Sequence, residues 1–289
     1  MFHMIFIVDS GSTKCDWIAV DLNGIQLFEK VRTKGMNPAI LTPDELLGRI
    51  QENEMLSLHK TDVEKIYFYG AGCGTEAPSL ALKQVLESFF INAEVDVQED
   101  TLAAVYATIE NKDPAVVCIL GTGSNCTFFD GTNCHQKIQS LGYILMDHAS
   151  GNYFGKELIR DYYFNHMPEN LKVSFNEKYN LDPDFIKYNL YKQANPNAYL
   201  ASFAEFMFLN KESEYIRDMI KLGFKRFTRN MIYQFKDKLD EVPVHFAGSI
   251  AYLSQDEIRE VADEMGFKVG NFVKRPIDGL VKYHTQKLV

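Results

Sequence analysis

The sequence predicts an α/β protein built from two related domains, each with a sheet of mixed parallel and antiparallel strands. Short apolar runs typical of buried strands alternate with amphipathic helical segments along the 289 residues. Asn23-Gly24 separates two apolar runs, and both residues tolerate a positive φ, which predicts a hairpin near the start. The segment "IFIVDSGSTKCDW" is matched by "VVCILGTGSNCTFF", with Gly11-Ser12 and Gly123-Ser124 lying 112 residues apart. This match indicates a duplicated strand–turn–strand unit.

The first half of the chain predicts a three-strand antiparallel meander followed by alternating helices and strands. "LTPDELLGRIQENEM" is predicted to be helical, with Pro43 in the first turn. "VEKIYFYG" then predicts a buried strand, "APSLALKQVLESFF" a helix, "AEVDVQE" a strand and "DTLAAVYATIE" a helix.

The second half restarts with strand "AVVCIL", turn "GTGSN" and strand "CTFFD". Helices dominate from Gly151 to Leu239, a strand follows in "VPVHFAGS", and "QDEIREVADEM" and "PIDGLVKYHTQKL" read as helices. We expect one domain over residues 1–110 and a second over 111–275 with a helical insertion. The terminal helix, 276–289, is expected to pack back on the first domain.

The composition of the chain limits the kinds of partner and the compartment that we expect. The net charge is −9, and the one basic stretch, Lys221 to Arg229, fits the solvated face of a helix, so no nucleic-acid partner is expected. No apolar run reaches the length of a membrane span, and the N-terminal residues read as a first strand rather than a signal peptide. Five cysteines without a C-x-x-C pair indicate free thiols in a reducing cytosol, and hence a cytoplasmic protein.

The two glycine-rich turns are the first candidates for chemistry. Such turns can direct several backbone N–H groups at an anion, and Lys14 adds a point charge suited to phosphate. Asp9 ends its strand, where a carboxylate can hold Mg²⁺. Each turn alone is compatible with a plain hairpin, but the pair favours a clamp on the phosphates of one nucleotide. The sequence contains no P-loop motif and no G-x-G-x-x-G opening a helix.

Four motifs carry a resemblance to a known family. "DSGSTKCDW" is similar to the D-x-G-x-T-x-x-D/S phosphate motif of the actin-like, sugar-kinase and Hsp70-type ATPases. "QEDTLAA", "GTGSNC" and "FAGSIA" resemble the catalytic, second phosphate and adenosine motifs of N-acetylglucosamine kinases within the BadF/BadG/BcrA/BcrD ATPase family. The four occur in the family order and span nearly the whole chain. The resemblance implies two ribonuclease H-like domains, each a mixed sheet flanked by helices, with an interdomain nucleotide cleft.

The resemblance also implies roles for individual residues. Asp100 would be the catalytic base and Asp9 the ligand of Mg²⁺. ATP would be bound by the two turns and the adenosine motif, through Ser10, Gly11, Ser12, Thr13, Lys14, Gly121, Thr122, Gly123, Ser124, Gly248 and Ser249. The sugar would be bound by Asn37, Asp100, Asn125, Gly142, Asp147 and Ser150.

Asp100 also has a physical argument of its own, because it ends a strand and begins a helix. A carboxylate there lies near the helix N–H groups and can lie at a cleft edge. An ordinary helix cap would be placed in the same way, so the position alone leaves both readings open.

One segment departs from the family pattern. Relatives read G-D-E-G-S where this chain has "MDHAS", so that Met146, His148 and Ala149 replace glycine, glutamate and glycine. Because this segment lines the sugar pocket in the family, the departure bears on the choice of sugar more than on the use of ATP.

The function expected from these observations is ATP-dependent phosphorylation of an amino sugar, N-acetylglucosamine to its 6-phosphate first among the candidates. Two alternatives stay open: an ATPase activator of a radical dehydratase, and a non-catalytic sugar or nucleotide sensor. The activator would need cysteines that ligate an iron–sulfur cluster. The apolar helices of the second half are compatible with a homodimer.

Overall fold

The computed structural model describes residues 3–11, 13–109 and 112–288, and side chains up to residue 285. The strands are β1 (Met4–Ser10), β2 (Lys14–Val20), β3 (Val31–Lys34), β4 (Val63–Gly70), β5 (Glu94–Glu99), β6 (Ala115–Leu120), β7 (Ser124–Phe129), β8 (Cys134–His135), β9 (Val244–Ala247) and β10 (Val269–Val273). The helices are α1 (Pro43–Gln51), α2 (Glu54–Leu58), α3 (Glu76–Phe89), α4 (Asp100–Thr108), α5 (Gly151–Tyr163), α6 (Glu169–Lys178), α7 (Pro183–Tyr191), α8 (Pro196–Ser202), α9 (Glu205–Leu209), α10 (Glu214–Asn230), α11 (Ser249–Leu253), α12 (Gln255–Met265) and α13 (Pro276–Leu288).

The chain divides into two compact units. The first comprises Met1–Thr108 and Arg275–Val289, and the second comprises Ile109–Lys274. The chain therefore leaves the first unit after α4 and returns to it with α13.

The first unit is built on a five-stranded sheet with the order β3-β2-β1-β4-β5. β1 is antiparallel to β2 and parallel to β4, and β5 extends the parallel side. One face buries an aromatic cluster in which Phe6 contacts Trp17 and Phe90 at steep ring angles. The other face buries Ile7 and Ile277 of α13, so the sheet is covered on both sides.

The second unit repeats this plan in the order β10-β9-β6-β7-β8. β6 is antiparallel to β7 and parallel to β9, as β1 is to β2 and β4. Its core also includes a set of phenylalanines from the helices between β8 and β9, among them Phe154, Phe175, Phe206, Phe224 and Phe227. The two units therefore share one strand plan, and a helical insertion enlarges the second.

The predicted fold class is confirmed, since two mixed five-stranded sheets are flanked by helices. The third strand begins only at Val31, because the chain after Asn23-Gly24 makes a single bridge from Val20 to Gln26. β10 was not predicted, because Gly270 and Asn271 interrupt its apolar pattern.

Cys15, Cys73, Cys118 and Cys126 are buried and Cys134 is half-buried, and all five are free thiols.

Within the described ranges, no group of three or more His, Cys, Asp or Glu side chains is arranged to hold a metal ion. No helix among the described residues is long and apolar enough to span a bilayer.

Candidate active site

The first glycine-rich turn joins β1 to β2 in the centre of the first sheet. Asp9 lies opposite Asp16 in the antiparallel register, and the Gly11 N–H donates to the Lys14 carbonyl oxygen at 2.9 Å. Ser12, predicted as a phosphate ligand, lies outside the described residues. Thr13 and Lys14 are exposed. The tight turn therefore presents Lys14 beside the end of the strand that carries Asp9.

The surroundings of the Asp9 carboxyl group shift its pKa upward. Burial raises its pKa to about 6, with a further increase from the charge of Asp16. Lys14 and the backbone N–H of Ile277, at the start of α13, oppose this rise by stabilising the carboxylate. A divalent cation would stabilise the same charged form, and a carboxylate is the ligand that Mg²⁺ prefers. The donor chemistry at Asp9 therefore fits Mg²⁺.

Asp100 is the first residue of α4, directly after β5. Burial raises its pKa to about 7, and the charges of Glu99 and Asp9 add to the rise. The backbone N–H groups of Thr101 and of Asp100 itself oppose it. The charges of Asp9 and Asp100 thus act on one another within the first unit. A carboxyl group with a pKa near neutrality is suited to general base catalysis.

A glycine-rich loop after β4, which contains Gly72 and Gly74, lies next to both Asn37 and Asp100. Gly72 has a φ of +81°, and a Cβ there would overlap the Asn37 Oδ1 atom. A Cβ on Gly74 would lie 2.9 Å from the Glu99 carboxyl carbon. Burial raises the pKa of the Cys73 thiol to about 12, with contributions from the charges of Asp100 and Glu99. Asn37 and Asp100 therefore flank the same loop.

The Ser10 side chain faces the protein interior. Its side chain is buried, and its hydroxyl accepts a hydrogen bond from the Met36 N–H at 2.9 Å. The Gly35 N–H donates to the Thr13 carbonyl oxygen at 3.0 Å. These bonds fasten the first turn to the segment that carries Asn37. The Asn37 Oδ1 atom accepts from the Ala39 N–H at 2.9 Å.

The second glycine-rich turn is held by the first residues of α5. The Gly121 carbonyl accepts from the Gly151 N–H at 2.8 Å, and the Thr122 carbonyl accepts from the Asn152 N–H at 3.0 Å. In a trans peptide the C=O and N–H point in opposite directions. The N–H groups of Thr122 and Gly123 therefore point away from α5, as an anion-binding turn requires.

Asp147 is fixed directly against this turn. It has a φ of 65°, and its carboxylate accepts from the Ser124 N–H and, at 2.8 Å, from Asn152 Nδ2. Burial raises its pKa, while these two donors lower it. A Cβ on Gly123 would lie 2.8 Å from the Asp147 Oδ2 atom, so a side chain there would force the carboxylate to shift.

Gly248 lies against the same turn from the end of β9. Its φ is +113°, and a Cβ would overlap the Leu120 carbonyl oxygen and lie 3.2 Å from the Gly121 nitrogen. Ser249 begins α11 and is exposed. The adenosine motif predicted from sequence is therefore adjacent to the second glycine-rich turn within one unit.

Three predicted sugar ligands have other local contacts. The Asn125 Oδ1 atom accepts from the Cys126 N–H at 2.8 Å. Ser150 is fully buried, and its hydroxyl caps α5 by accepting from the Tyr153 N–H at 3.3 Å. Gly142 forms a turn closed by the Met146 N–H at 2.9 Å, with open space where a Cβ would be.

The structure thus forms one cluster in each unit. The first unit brings together Asp9, Lys14, Asn37 and Asp100, and the second brings together Gly121 to Ser124, Asp147 and Gly248. Three residues that contact or electrostatically influence these clusters were not predicted from sequence: Glu99, Cys73 and Asn152. Glu99 could have been found as the acidic neighbour of Asp100, but no sequence signal marks Asn152.

The chain resembles solved sugar-kinase structures over its whole length. A Porphyromonas gingivalis protein provisionally named N-acetylglucosamine kinase is 31% identical, covers 99% of this chain and 100% of its own, and gives a TM-score of 0.91. A Chromobacterium violaceum protein with the same provisional name is 13% identical, with 98% and 99% covered and a TM-score of 0.74. A ROK-family glucokinase from Streptomyces griseus, solved with glucose and AMPPNP, is 16% identical, with 98% of each chain covered and a TM-score of 0.67.

The last two structures share the fold, whereas the first is also similar in sequence from end to end. No protein-family model and no curated protein matches the chain. Membership of the BadF/BadG/BcrA/BcrD family therefore stays a prediction. Full-length identity of 31% nevertheless shows that the chain belongs to the family of the P. gingivalis protein, with the two-domain, actin-like fold of sugar kinases.

Proposed function

We propose that the chain is an ATP-dependent kinase that phosphorylates an amino sugar, with N-acetylglucosamine and its 6-hydroxyl group as the first candidates. The observation that carries the proposal is the full-length match to the P. gingivalis protein. The carboxyl pair Asp9 and Asp100 supports it, because phosphoryl transfer needs one carboxylate at the metal and another at the nucleophile.

Both glycine-rich turns are assigned to the phosphates of ATP. Thr122 and Gly123 supply backbone N–H groups directed away from α5, and Lys14 supplies a positive charge. Asp9 would hold Mg²⁺, which would neutralise charge on the phosphate oxygens. Gly248, which leaves no room for a side chain beside the second turn, is assigned to the adenosine side.

Asp100 is assigned as the base that accepts the proton of the sugar hydroxyl. Its pKa of about 7 allows the carboxylate to be populated at neutral pH while it stays basic enough to accept a proton. Asn37 and Asp147 are assigned to sugar hydroxyls. Thr13, Asn125, Gly142 and Ser249 are retained as ligands predicted from sequence. The hydroxyls of Ser10 and Ser150 are assigned structural roles, since each is buried on a backbone N–H group.

The direct test is ADP release measured over a panel of amino sugars and plain hexoses, with ATP and Mg²⁺. We expect turnover that depends on an amino sugar and falls about 10²–10⁴-fold in Asp100→Asn. Asp62→Asn, an exposed carboxylate in a loop, is the matched control. If no sugar raises ADP release above background, the proposed function is wrong. If turnover survives in Asp100→Asn, only the assignment of the base is wrong.

The two alternatives make different predictions for the same preparation. A sensor would bind sugar and nucleotide without turnover. A dehydratase activator would carry iron, but Cys118 and Cys126 lie in neighbouring strands with their sulfur atoms 3.6 Å apart and buried. That arrangement is typical of core packing rather than of cluster ligands at a dimer surface. An iron-free, colourless protein would exclude the activator.

A further inference from the structure

The first unit contains a cavity that the proposed kinase reaction does not use. Its volume is about 340 Å³, and it opens between β4, β5, α4 and α13. All of its lining residues belong to this one unit: Tyr67, Tyr69, Asp96, Gln98, Leu102, Tyr106, Tyr283 and His284. The volume lies within the range of small-molecule sites.

Aromatic rings form most of the cavity wall, and they hold one another in place. Tyr67 stacks on His284 with ring centroids 3.8 Å apart, and Tyr106 stacks on Tyr283 at 3.9 Å. The Tyr69 hydroxyl and His284 Nε2 are 2.8 Å apart, at hydrogen-bond distance. The wall is therefore preformed, which lowers the entropic cost of ordering it around a ligand.

Among the described lining residues, Asp96 is the one carboxylate, and Gln98 Nε2 donates to its Oδ1 atom at 2.8 Å. No lysine or arginine is among the described lining residues. Lys65 lies outside, over the ring of Tyr67 at 5.4 Å, and its ammonium group is paired with Glu94. Among the described residues, the Asp96 carboxylate is therefore hydrogen-bonded by a neutral amide rather than paired with a cation.

We propose that this cavity binds an organic ammonium ion. Aromatic rings attract cations through their quadrupoles, and a carboxylate adds a charge-assisted hydrogen bond. An anionic ligand would meet Asp96 without a compensating cation among the described lining residues, and a neutral ligand would leave that charge unmatched. The proposal is independent of the kinase reaction, because none of the lining residues is assigned to ATP, Mg²⁺ or the proton transfer.

The test compares three probes of one shape on the full chain by isothermal titration calorimetry: benzylammonium, benzyl alcohol and benzoate. We expect saturable binding of benzylammonium, at least about tenfold tighter than of either other probe. Asp96→Asn should weaken benzylammonium binding about tenfold or more, because it removes the charge and keeps the shape. Tyr106→Leu should also weaken it, by removing one ring. Glu87→Gln, an exposed carboxylate on α3, is the matched control and should change nothing.

Thermal melts of each variant show whether it is folded. The proposal is overturned if benzylammonium shows no saturable binding, if benzyl alcohol binds as tightly, or if Asp96→Asn has no effect. It is also overturned if N-acetylglucosamine binds with an affinity that Tyr106→Leu weakens and Asp100→Asn does not, since the cavity would then be a sugar site.

Discussion

Asn152 joins the Asp147 carboxylate to the second glycine-rich turn. Its Nδ2 atom donates to Asp147 Oδ2 at 2.8 Å and to the Thr122 carbonyl oxygen at 2.6 Å, and its backbone N–H donates to the same carbonyl. Asn152 is fully buried, so these bonds form away from solvent. One side chain on α5 therefore fixes both the second glycine-rich turn and a candidate sugar ligand.

Asn152→Ala should destabilise the protein by about 2–3 kcal/mol, because a buried carboxylate and a carbonyl oxygen both lose a donor. The free energy of unfolding from urea denaturation measures the effect. Asn170→Ala, at an exposed position of α6, is the control and should stay within about 0.5 kcal/mol of the parent. Equal stability of the two variants would contradict the role of Asn152.

Gly248→Ala should be far more damaging than Gly142→Ala, although both glycines have a positive φ. A Cβ at Gly248 overlaps the Leu120 carbonyl oxygen, whereas a Cβ at Gly142 meets open space. We expect a loss above about 3 kcal/mol at Gly248 and about 1 kcal/mol at Gly142, where backbone strain acts alone. Urea denaturation of the two variants measures both losses of stability. Similar losses would contradict the close approach of Gly248 to Leu120.

Asp100→Asn should stabilise the metal-free protein at pH 8 by about 2 kcal/mol and change it little at pH 4. The folded pKa of about 7 lies above the unfolded value of 3.8, so folding favours the protonated form. The folded protein consequently loses stability relative to the variant as pH rises from about 4 to about 7. A full shift would give about 4 kcal/mol, and partial solvent exposure reduces it.

Urea denaturation of both proteins at the two pH values tests this prediction without any substrate. A difference in stability that is the same at pH 4 and pH 8 would show that Asp100 is not the group that titrates.

The rate of sugar phosphorylation should rise with pH through the pKa of Asp100 and level off above it, because the base must be deprotonated. Mg²⁺ at Asp9 would lower the pKa of Asp100, so the midpoint in the loaded enzyme is expected at or below 7. Steady-state kcat measured from pH 5 to 8 gives this midpoint. The residual activity of Asp100→Asn should lack this limb, and a limb that persists in the variant would assign it to another group.

The sequence anticipated the parts of the site that depend on local pattern. Asp9 at the end of a strand and Asp100 at the start of a helix follow from apolar runs and motif spacing. The partners of those residues could not be anticipated, because Gly72 against Asn37 and Asn152 against Asp147 are contacts made by tertiary packing. Ser10 and Ser150 illustrate the converse. Their motif positions did not reveal that each hydroxyl is buried on a backbone N–H group, because the direction of a side chain depends on strand pleat and helix geometry.

Strand order shows the same limit at the level of the fold. Antiparallel neighbours such as β1 and β2 are adjacent in sequence and could be predicted. The parallel partners β4 and β9 join their sheets from distant segments, and the two edge elements β8 and β10 carry too weak a pattern to be recognised.

β1 and β6 are the central strands of their sheets, each hydrogen-bonded on both sides. Backbone amides in such strands open to solvent exchange only with large-scale unfolding of their unit. We therefore expect the carboxylate of Asp9 and the turn at Gly121 to be attached to backbone that exchanges slowly in its unit.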